Sequence, residues 1–160
     1  MGLKFGTYGI LSIFILLDII MIKLPKLYHC SQYELYINKS NIQNSGYGVF
    51  TRTFIPKDTM IDEYYGEYTE SLPGGEYFFR INNDGGINAI DEPRCYMAML
   101  NDASFVPKSN RQLKKFVYHD YKNNCHFKVD EINKKVYVFS KIDIPSETEL
   151  FISYGDEYWQ

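Results

Sequence analysis

The chain has few cysteines, and they do not occur in pairs. Its 160 residues include three, Cys30, Cys95 and Cys125, with no CxxC or CxC spacing among them. Cysteine zinc sites need cysteines grouped at short intervals, and three cysteines cannot all pair in disulfides within one chain. The sequence therefore supports neither, predicts no metal site, and suits a reducing compartment.

An excess of positive charge is also absent. The chain carries 17 Lys and Arg against 20 Asp and Glu, which gives a formal net charge of -3. Tight binding to nucleic acid is driven mainly by basic side chains that neutralise phosphates. We therefore expect no direct nucleic-acid binding, and a basic protein or peptide suits this charge better as a partner.

Long hydrophobic runs are scarce, since residues 8–24 form the only one. A membrane-spanning helix needs roughly 17–25 apolar residues, and Asp18 within this run costs about 2.5–3.5 kcal/mol of insertion free energy. We expect residues 1–27 to form a hydrophobic N-terminal segment with a helix over residues 8–24, and residues 28–160 to form the domain. A retained signal anchor, with the domain in the cytosol, is the first interpretation. A helix packed on the domain or an extension without function, in a cytosolic or nuclear protein, is the alternative.

After the apolar run, the chain continues as a series of short β-type segments separated by Gly, Asn, Asp and Pro. Such segments, rich in β-branched and aromatic residues and bounded by turn residues, are typical of strands. The predicted strands cover residues 34–38, 48–53, 60–65, 76–81, 86–90, 125–130 and 135–140. A short helix is predicted over residues 92–100, with Pro93 in its first turn. The pattern thus indicates a mostly β domain with short helices.

Four motifs carry candidate chemistry, and each has an ordinary structural interpretation. They are GYGVF at residues 46–50, EYYGE at 63–67, MLNDA at 99–103 and ELFISYGDEYW at 149–159. Taken singly they indicate a hairpin turn, a strand end, a helix end and a packed or protein-binding aromatic cluster. Two glycines flanking an aromatic residue also let the backbone approach a ligand closely.

In this order and spacing the four motifs resemble the SET domain family of protein lysine methyltransferases. That family shows a GxGVF turn, an E-Y-x-G-E strand end, an Asn-His pair, an I-x-x-G-E-E-L segment and a tyrosine near the end. The resemblance extends over residues 33–159 and implies the SET-domain fold, with several small sheets and a threaded C-terminal segment. It also implies transfer of a methyl group from S-adenosyl-L-methionine to a protein lysine.

The resemblance also implies roles for particular residues. Tyr154 is the expected catalytic residue. Cofactor binding is expected at Tyr47, Gly48, Asn101, Asp102 and Tyr154. The lysine channel is expected to be lined by Tyr64, Ile152, Tyr158 and Trp159. Ile152 is smaller than an aromatic ring, so we expect higher methylation states to be sterically allowed.

The chain departs from the family pattern at several positions. Asp102 stands where the family has His, Ala98 where it has Arg, and Ser153 where it has Asp. Zinc-binding cysteine modules that flank many SET domains are absent from the sequence, so channel closure is expected from Tyr158 and Trp159. These departures leave open a SET-fold protein that binds a peptide or partner at a membrane without catalysis. An unrelated small β-barrel binding module is a third interpretation, and the substrate protein is not readable from the sequence.

Overall fold

The computed structural model describes residues 27–28, 31–91, 94–103 and 121–155. Eleven strands and one short 3-10 helix lie in these ranges. The strands are β1 (Leu27–Tyr28), β2 (Leu35–Lys39), β3 (Tyr47–Thr51), β4 (Met60–Glu63), β5 (Glu67–Thr69), β6 (Phe78–Arg80), β7 (Gly86–Asn88), β8 (Arg94–Cys95), β9 (Cys125–Asp130), β10 (Lys135–Ser140) and β11 (Thr148–Glu149). The 3-10 helix covers Tyr96–Met99. The prediction of a mostly β chain is confirmed.

Within the described ranges the strands form four small sheets. Their strand orders are β1-β8, β4-β10-β9, β11-β3-β2 and β5-β7-β6. The β1-β8 pair is parallel, and the other pairs are antiparallel. Small antiparallel sheets with one buried face read as alternating apolar and polar residues. In β10, accordingly, Val136, Val138 and Ser140 are buried while the residues between them are half-buried.

The inner faces of the sheets meet in one hydrophobic core. Val49, Ile55, Val136, Val138 and Leu150 have 0% exposure there. Because these residues come from β3, β10 and the loops after β3 and β11, the core joins segments that are far apart in the sequence. Burial of such side chains contributes about 1.5–3 kcal/mol each. The core therefore determines where the C-terminal segment lies.

The C-terminal segment crosses three other parts of the chain. Glu149 pairs with Phe50 of β3, and the Leu150 amide donates to the Val49 carbonyl at 2.8 Å. Phe151 forms a parallel bridge with Asn101 and its carbonyl accepts from the amides that begin β9. The segment that ends in Tyr154 is therefore held on several sides by backbone hydrogen bonds.

Sequence patterns located most strands, and the last hairpin most closely. The predicted strands 125–130 and 135–140 coincide with β9 and β10, and the strands predicted at 34–38, 48–53, 60–65, 76–81 and 86–90 overlap β2, β3, β4, β6 and β7. The prediction of a helix over residues 92–100 was wrong for Arg94 and Cys95, and within the described residues 94–100 only Tyr96–Met99 are helical, as a 3-10 turn. Arg94 and Cys95 are extended and pair in parallel with β1, and only one 3-10 turn comes after them, before Leu100 is extended again. A pairing with a distant strand overrode the local helix signal.

The predicted hydrophobic helix over residues 8–24 lies outside the described residues. In the part of the chain that the structure describes, no helix is long and apolar enough to cross a membrane. The predicted boundary between residues 1–27 and 28–160 stays a prediction.

Candidate active site

The GYG turn opens β3 and faces the segment after the 3-10 helix. Gly46 has a φ of +70°, which glycine adopts without strain, and a side chain at this position would meet no atom within 4 Å. Tyr47 is 61% exposed. Its carbonyl oxygen accepts a hydrogen bond of 3.0 Å from the Asn101 side-chain amide. The turn is thus open on one side and tied to Asn101 on the other.

A buried carboxylate lies beneath this turn. Glu149 is 1% exposed and accepts hydrogen bonds from the Ser40 hydroxyl at 2.8 Å and the Asn41 amide at 2.7 Å. The Asn101 amide nitrogen also donates to Glu149, at 3.2 Å. A side-chain carbon built on Gly48 would come within 2.0 Å of the Glu149 carboxylate. Gly48 is therefore required by the position of the carboxylate, which connects the turn, Asn101 and the loop after β2.

Asp102 occupies the position at which the sequence departs from the family pattern. It is buried at 7% exposure, and both of its carboxylate oxygens accept hydrogen bonds. One accepts from the Asn123 side-chain amide at 2.9 Å, and the other from the Tyr154 backbone amide at 2.8 Å. Buried charges persist only where donors compensate for the water they have lost. Asp102 obtains these donors from two segments that are distant in the sequence.

Tyr154 is held at both its backbone and its hydroxyl. Its amide donates to Asp102, and its hydroxyl donates to the Leu100 carbonyl at 2.5 Å. A hydroxyl that donates its proton in this way presents its oxygen lone pairs as acceptors. Residues 100–102 therefore set the position of the Tyr154 ring and the orientation of its hydroxyl.

A cavity of about 400 Å³ opens beside Tyr154. Among the residues that the structure describes, six aromatic side chains and one carboxylate, that of Glu76, contribute to its lining, and no Lys or Arg does. The lining residues are Tyr64, Gly75, Glu76, Tyr77, Phe78, Phe79, Met97, Ala98, Leu100, Phe127, Ile152, Ser153, Tyr154 and Gly155. Apolar cavities with few polar groups are the usual form of small-ligand and side-chain sites.

Burial shapes the chemistry of this cavity. Tyr64 is 6% exposed, and its ring packs against Phe79 and Phe127 with centroids 5.7 Å and 5.9 Å away. Burial raises the pKa of Tyr64 well above its ordinary value, because the charged phenolate would lose its hydration. The same loss of water would lower the pKa of an ammonium group placed there. The cavity therefore favours an uncharged amine.

The structure brings most of the predicted site residues to two adjoining places. Tyr47, Gly48 and Asn101 meet at the GYG turn, with Asp102 next to Asn101 in the chain, while Tyr64 and Ile152 line the cavity. Tyr154 belongs to both, because it lines the cavity and contacts residues 100 and 102. Tyr158 and Trp159 lie outside the described residues.

Several residues of the site were not identified from the sequence. Tyr77, Phe79 and Phe127 line the cavity, but their positions carry no signal beyond that of ordinary strand residues. Asn123 and Glu149 provide the polar support. No sequence signal marked Glu149 as buried, because a glutamate beside an apolar run is usually exposed. Groups of three or more residues able to hold a metal ion do not occur among the residues that the structure describes.

Comparison with known proteins identifies the family. The family model described as SET domain matches residues 46–155, which is more than half of the chain. "Putative histone-lysine N-methyltransferase 1" of Plasmodium falciparum (isolate 3D7) is 29% identical over 131 residues. The match covers 78% of this chain but only 2% of that protein.

Two crystal structures of KRYPTONITE have a similar fold. One, in complex with mCHG DNA and SAH, gives a TM-score of 0.60 at 19% identity and covers 79% of this chain and 24% of that one. The other, with mCHH DNA, H3(1-15) peptide and SAH, gives 0.57 at 18% identity with the same coverage. At this identity the likeness concerns the fold alone. With the family model matched over most of the described domain, the chain belongs to the SET domain family.

Proposed function

We propose that this protein is an S-adenosyl-L-methionine-dependent protein lysine N-methyltransferase. The observation that carries the proposal is the position of Tyr154, with its hydroxyl oriented by Leu100 at the wall of an aromatic cavity. Family membership supports it, as does the name of the Plasmodium falciparum relative. SAH in both KRYPTONITE structures, and an H3(1-15) peptide in one, support the classes of cofactor and substrate.

The residues around the GYG turn suit S-adenosyl-L-methionine. Open space beside Gly46 and the exposed ring of Tyr47 offer room and a stacking surface for an adenine base. The turn also carries acceptors, namely the Tyr47 carbonyl oxygen and the buried Glu149 carboxylate. Acceptors and carboxylates suit a ligand that carries an ammonium and a sulfonium, and they would repel phosphates. Tyr47 and Asn101 are the residues we expect to contact it directly.

The aromatic cavity suits a lysine side chain. Its four-carbon stem would pack on the rings of Phe79 and Phe127, and its nitrogen would approach Tyr64 and Tyr154. Lysine has a reference pKa of about 10.4, and the nucleophile must be the neutral amine. Desolvation beside the buried Tyr64 ring lowers the pKa of the amine. Glu76 is the carboxylate in the lining and is available to a positive charge at the entrance.

The chain's own groups contribute to catalysis mainly by positioning the amine and the methyl group. The bound cofactor supplies an electrophilic methyl group on its sulfonium. The Tyr154 oxygen and nearby peptide carbonyls can accept weak C–H···O contacts of about 0.5–1 kcal/mol each. Ile152 lines the cavity and is smaller than an aromatic ring, so we expect room there for methyl groups already on the nitrogen. Reaction then requires no metal and no covalent enzyme intermediate.

The proposal is tested with the full chain and radiolabelled S-adenosyl-L-methionine. Calorimetry should detect cofactor binding, and label should enter lysines of histone or other protein substrates. We expect Tyr154→Phe to lower kcat about 5- to 70-fold, because it removes a C–H···O contact of about 0.5–1 kcal/mol and the hydrogen bond to Leu100, which contributes about 0.5–1.5 kcal/mol. Tyr36→Phe is the matched control, because it removes an exposed hydroxyl bonded to Glu147. If the chain does not bind S-adenosyl-L-methionine at millimolar concentration, the proposed methyltransferase activity is refuted.

A peptide-binding protein without catalysis is the second candidate. It is favoured by the replacement of His with Asp102, both of whose carboxylate oxygens already accept internal hydrogen bonds. Such a protein would bind lysine peptides equally well with and without cofactor. Tyr154→Phe would then change peptide affinity without any product to measure. Detection of methylated peptide by mass spectrometry excludes this candidate.

Attachment to a membrane through residues 8–24 is a further part of the proposal. The apolar run and its flanking Lys4, Lys23 and Lys26 support it. In fractionated cells the full chain should stay in the membrane pellet after a carbonate wash, with the domain accessible to protease from the cytosolic side. A variant with two of the central isoleucines replaced by lysine should become soluble. If the unaltered chain is recovered in the soluble fraction, the attachment is wrong.

A further inference from the structure

The turn before β9 holds both segments that cross at the site. The Asn123 side-chain oxygen accepts from the Ala103 amide at 2.9 Å, while its nitrogen donates to Asp102 at 2.9 Å. The next residue, Asn124, donates to the Glu149 carbonyl at 2.8 Å and accepts from the Phe151 amide at 2.8 Å. Two neighbouring asparagines therefore connect the segment at residues 101–103 and the segment at residues 149–154.

The orientation of the Asn123 amide is determined by these partners. Its oxygen faces an N–H group and its nitrogen faces a carboxylate, so a rotation by half a turn would oppose donor to donor and acceptor to acceptor. Asn123 is half-buried and Asp102 is 7% exposed, so water has limited access to replace these hydrogen bonds. Asn123 thus holds the Asp102 carboxylate in a single orientation.

From these contacts we infer that Asn123 is a positioning residue for Tyr154, acting through Asp102. The second oxygen of Asp102 binds the Tyr154 amide, and the Tyr154 hydroxyl binds the Leu100 carbonyl. The ring is consequently fixed at its backbone by the carboxylate that Asn123 orients. Asp102 acts here as a support for Tyr154 and not as a direct ligand of the cofactor. The effect on catalysis rests on the proposed function, whereas the effect on the Tyr154 amide does not.

The amide–carboxylate pair can be reversed without losing a hydrogen bond. In the double variant Asp102→Asn with Asn123→Asp, the new amide nitrogen donates to the new carboxylate. The other oxygen of that carboxylate still accepts from the Ala103 amide, and the new amide oxygen still accepts from the Tyr154 amide. Each single variant instead opposes two like groups. Asp102→Asn places donor against donor, and Asn123→Asp places two carboxylates 2.9 Å apart.

Two carboxylates at this distance share a proton, which raises the pKa of one of them. The Asn123→Asp variant should therefore be impaired at neutral pH and recover as the pH falls and a shared proton restores the bond. A merely structural role for Asn123 would not produce this pH dependence. Asn123→Ala introduces no titrating group and serves as the reference, because its activity should not recover at low pH.

The first measurement is hydrogen exchange of the Tyr154 backbone amide by nuclear magnetic resonance in the full chain. We expect its protection factor to fall at least tenfold in each single variant and to return to within threefold of the unaltered chain in the double variant. The Leu150 amide, which donates to Val49, is the internal reference and should change less than twofold. Unchanged Tyr154 protection in the single variants, or no recovery in the double variant, overturns the inference.

The second measurement is the kinetics of methylation by the same variants. Positioning of Tyr154 predicts a tenfold or larger fall in kcat, with the KM for S-adenosyl-L-methionine changed less than threefold. A rise in that KM at unchanged kcat would make Asp102 a direct cofactor ligand and overturn the inference. If the unaltered chain transfers no methyl group, the proposed function fails. The exchange measurement still decides the role of Asn123 in that case.

Discussion

Replacing Gly48 by alanine should destabilise the protein although its backbone conformation is an ordinary one. The added carbon would lie 2.0 Å from one oxygen of Glu149, 2.8 Å from its carboxylate carbon and 3.2 Å from the Asn101 amide nitrogen. The first two distances are shorter than any that a side-chain carbon makes in real structures, so the Glu149 carboxylate must move. Glu149 is 1% exposed, so its displaced carboxylate would not be hydrated by solvent.

The cost arises from the hydrogen bonds that the carboxylate would lose. Ser40, Asn41 and Asn101 donate to it at 2.8, 2.7 and 3.2 Å. Hydrogen bonds to charged groups contribute about 1.5–3 kcal/mol each, and depriving a buried charge of a partner costs about 3–5 kcal/mol. Alanine returns about 0.5–1 kcal/mol relative to glycine in a strand. We expect the free energy of unfolding to fall by about 2–4 kcal/mol.

Urea unfolding of the full chain, monitored by tryptophan fluorescence and circular dichroism, measures this change. Gly46→Ala is the matched control in the same turn, because its added carbon meets nothing and only the φ of +70° opposes it, at about 1–2 kcal/mol. Removing the obstacle in the double variant with Glu149→Ala should cost less than the sum of the two single changes. Equal costs for Gly48→Ala and Gly46→Ala, or strict additivity with Glu149→Ala, would refute the reasoning.

The buried titrating groups give two further predictions. Burial raises the pKa of Tyr64 above its ordinary value of 10, so the stability that the neutral phenol contributes is present below about pH 10 and is lost as the pH rises further. Tyr64→Phe should make the free energy of unfolding fall less steeply above pH 10, by up to about 1.4 kcal/mol per pH unit, when unfolding is measured across that range. A decline equally steep in both proteins would contradict this. Burial raises the pKa of the Cys125 thiol to about 12, so alkylation near pH 8 should be at least about 100-fold slower in the native chain than in urea, as quantified by peptide mass spectrometry. Rapid native labelling would mean that the start of β9 opens.

Some features of this protein were determined locally by the sequence. Strands β9 and β10 were predicted with their ends because their alternating residues and the polar turn between them act within sixteen neighbouring residues. The turns at residues 71–75 and 82–86 result from Gly and Asn in the same way, and Gly74 and Gly75 indeed have positive φ. Family membership was also readable, because four ordered motifs carry more information than any one of them.

Other features were decided only by tertiary structure. Strand β8 replaced a predicted helix because Arg94 and Cys95 pair with β1, and β11 is too short to show any period. Asp102 obtains its donors from Asn123 and from Tyr154, which lie 21 and 52 residues further along the chain. In the sequence Glu149 resembles a surface residue, but in the structure β3 and the loop after β2 bury it. Local sequence sets backbone preference and alternation, but the partner of a buried charge depends on which distant segments the core brings together.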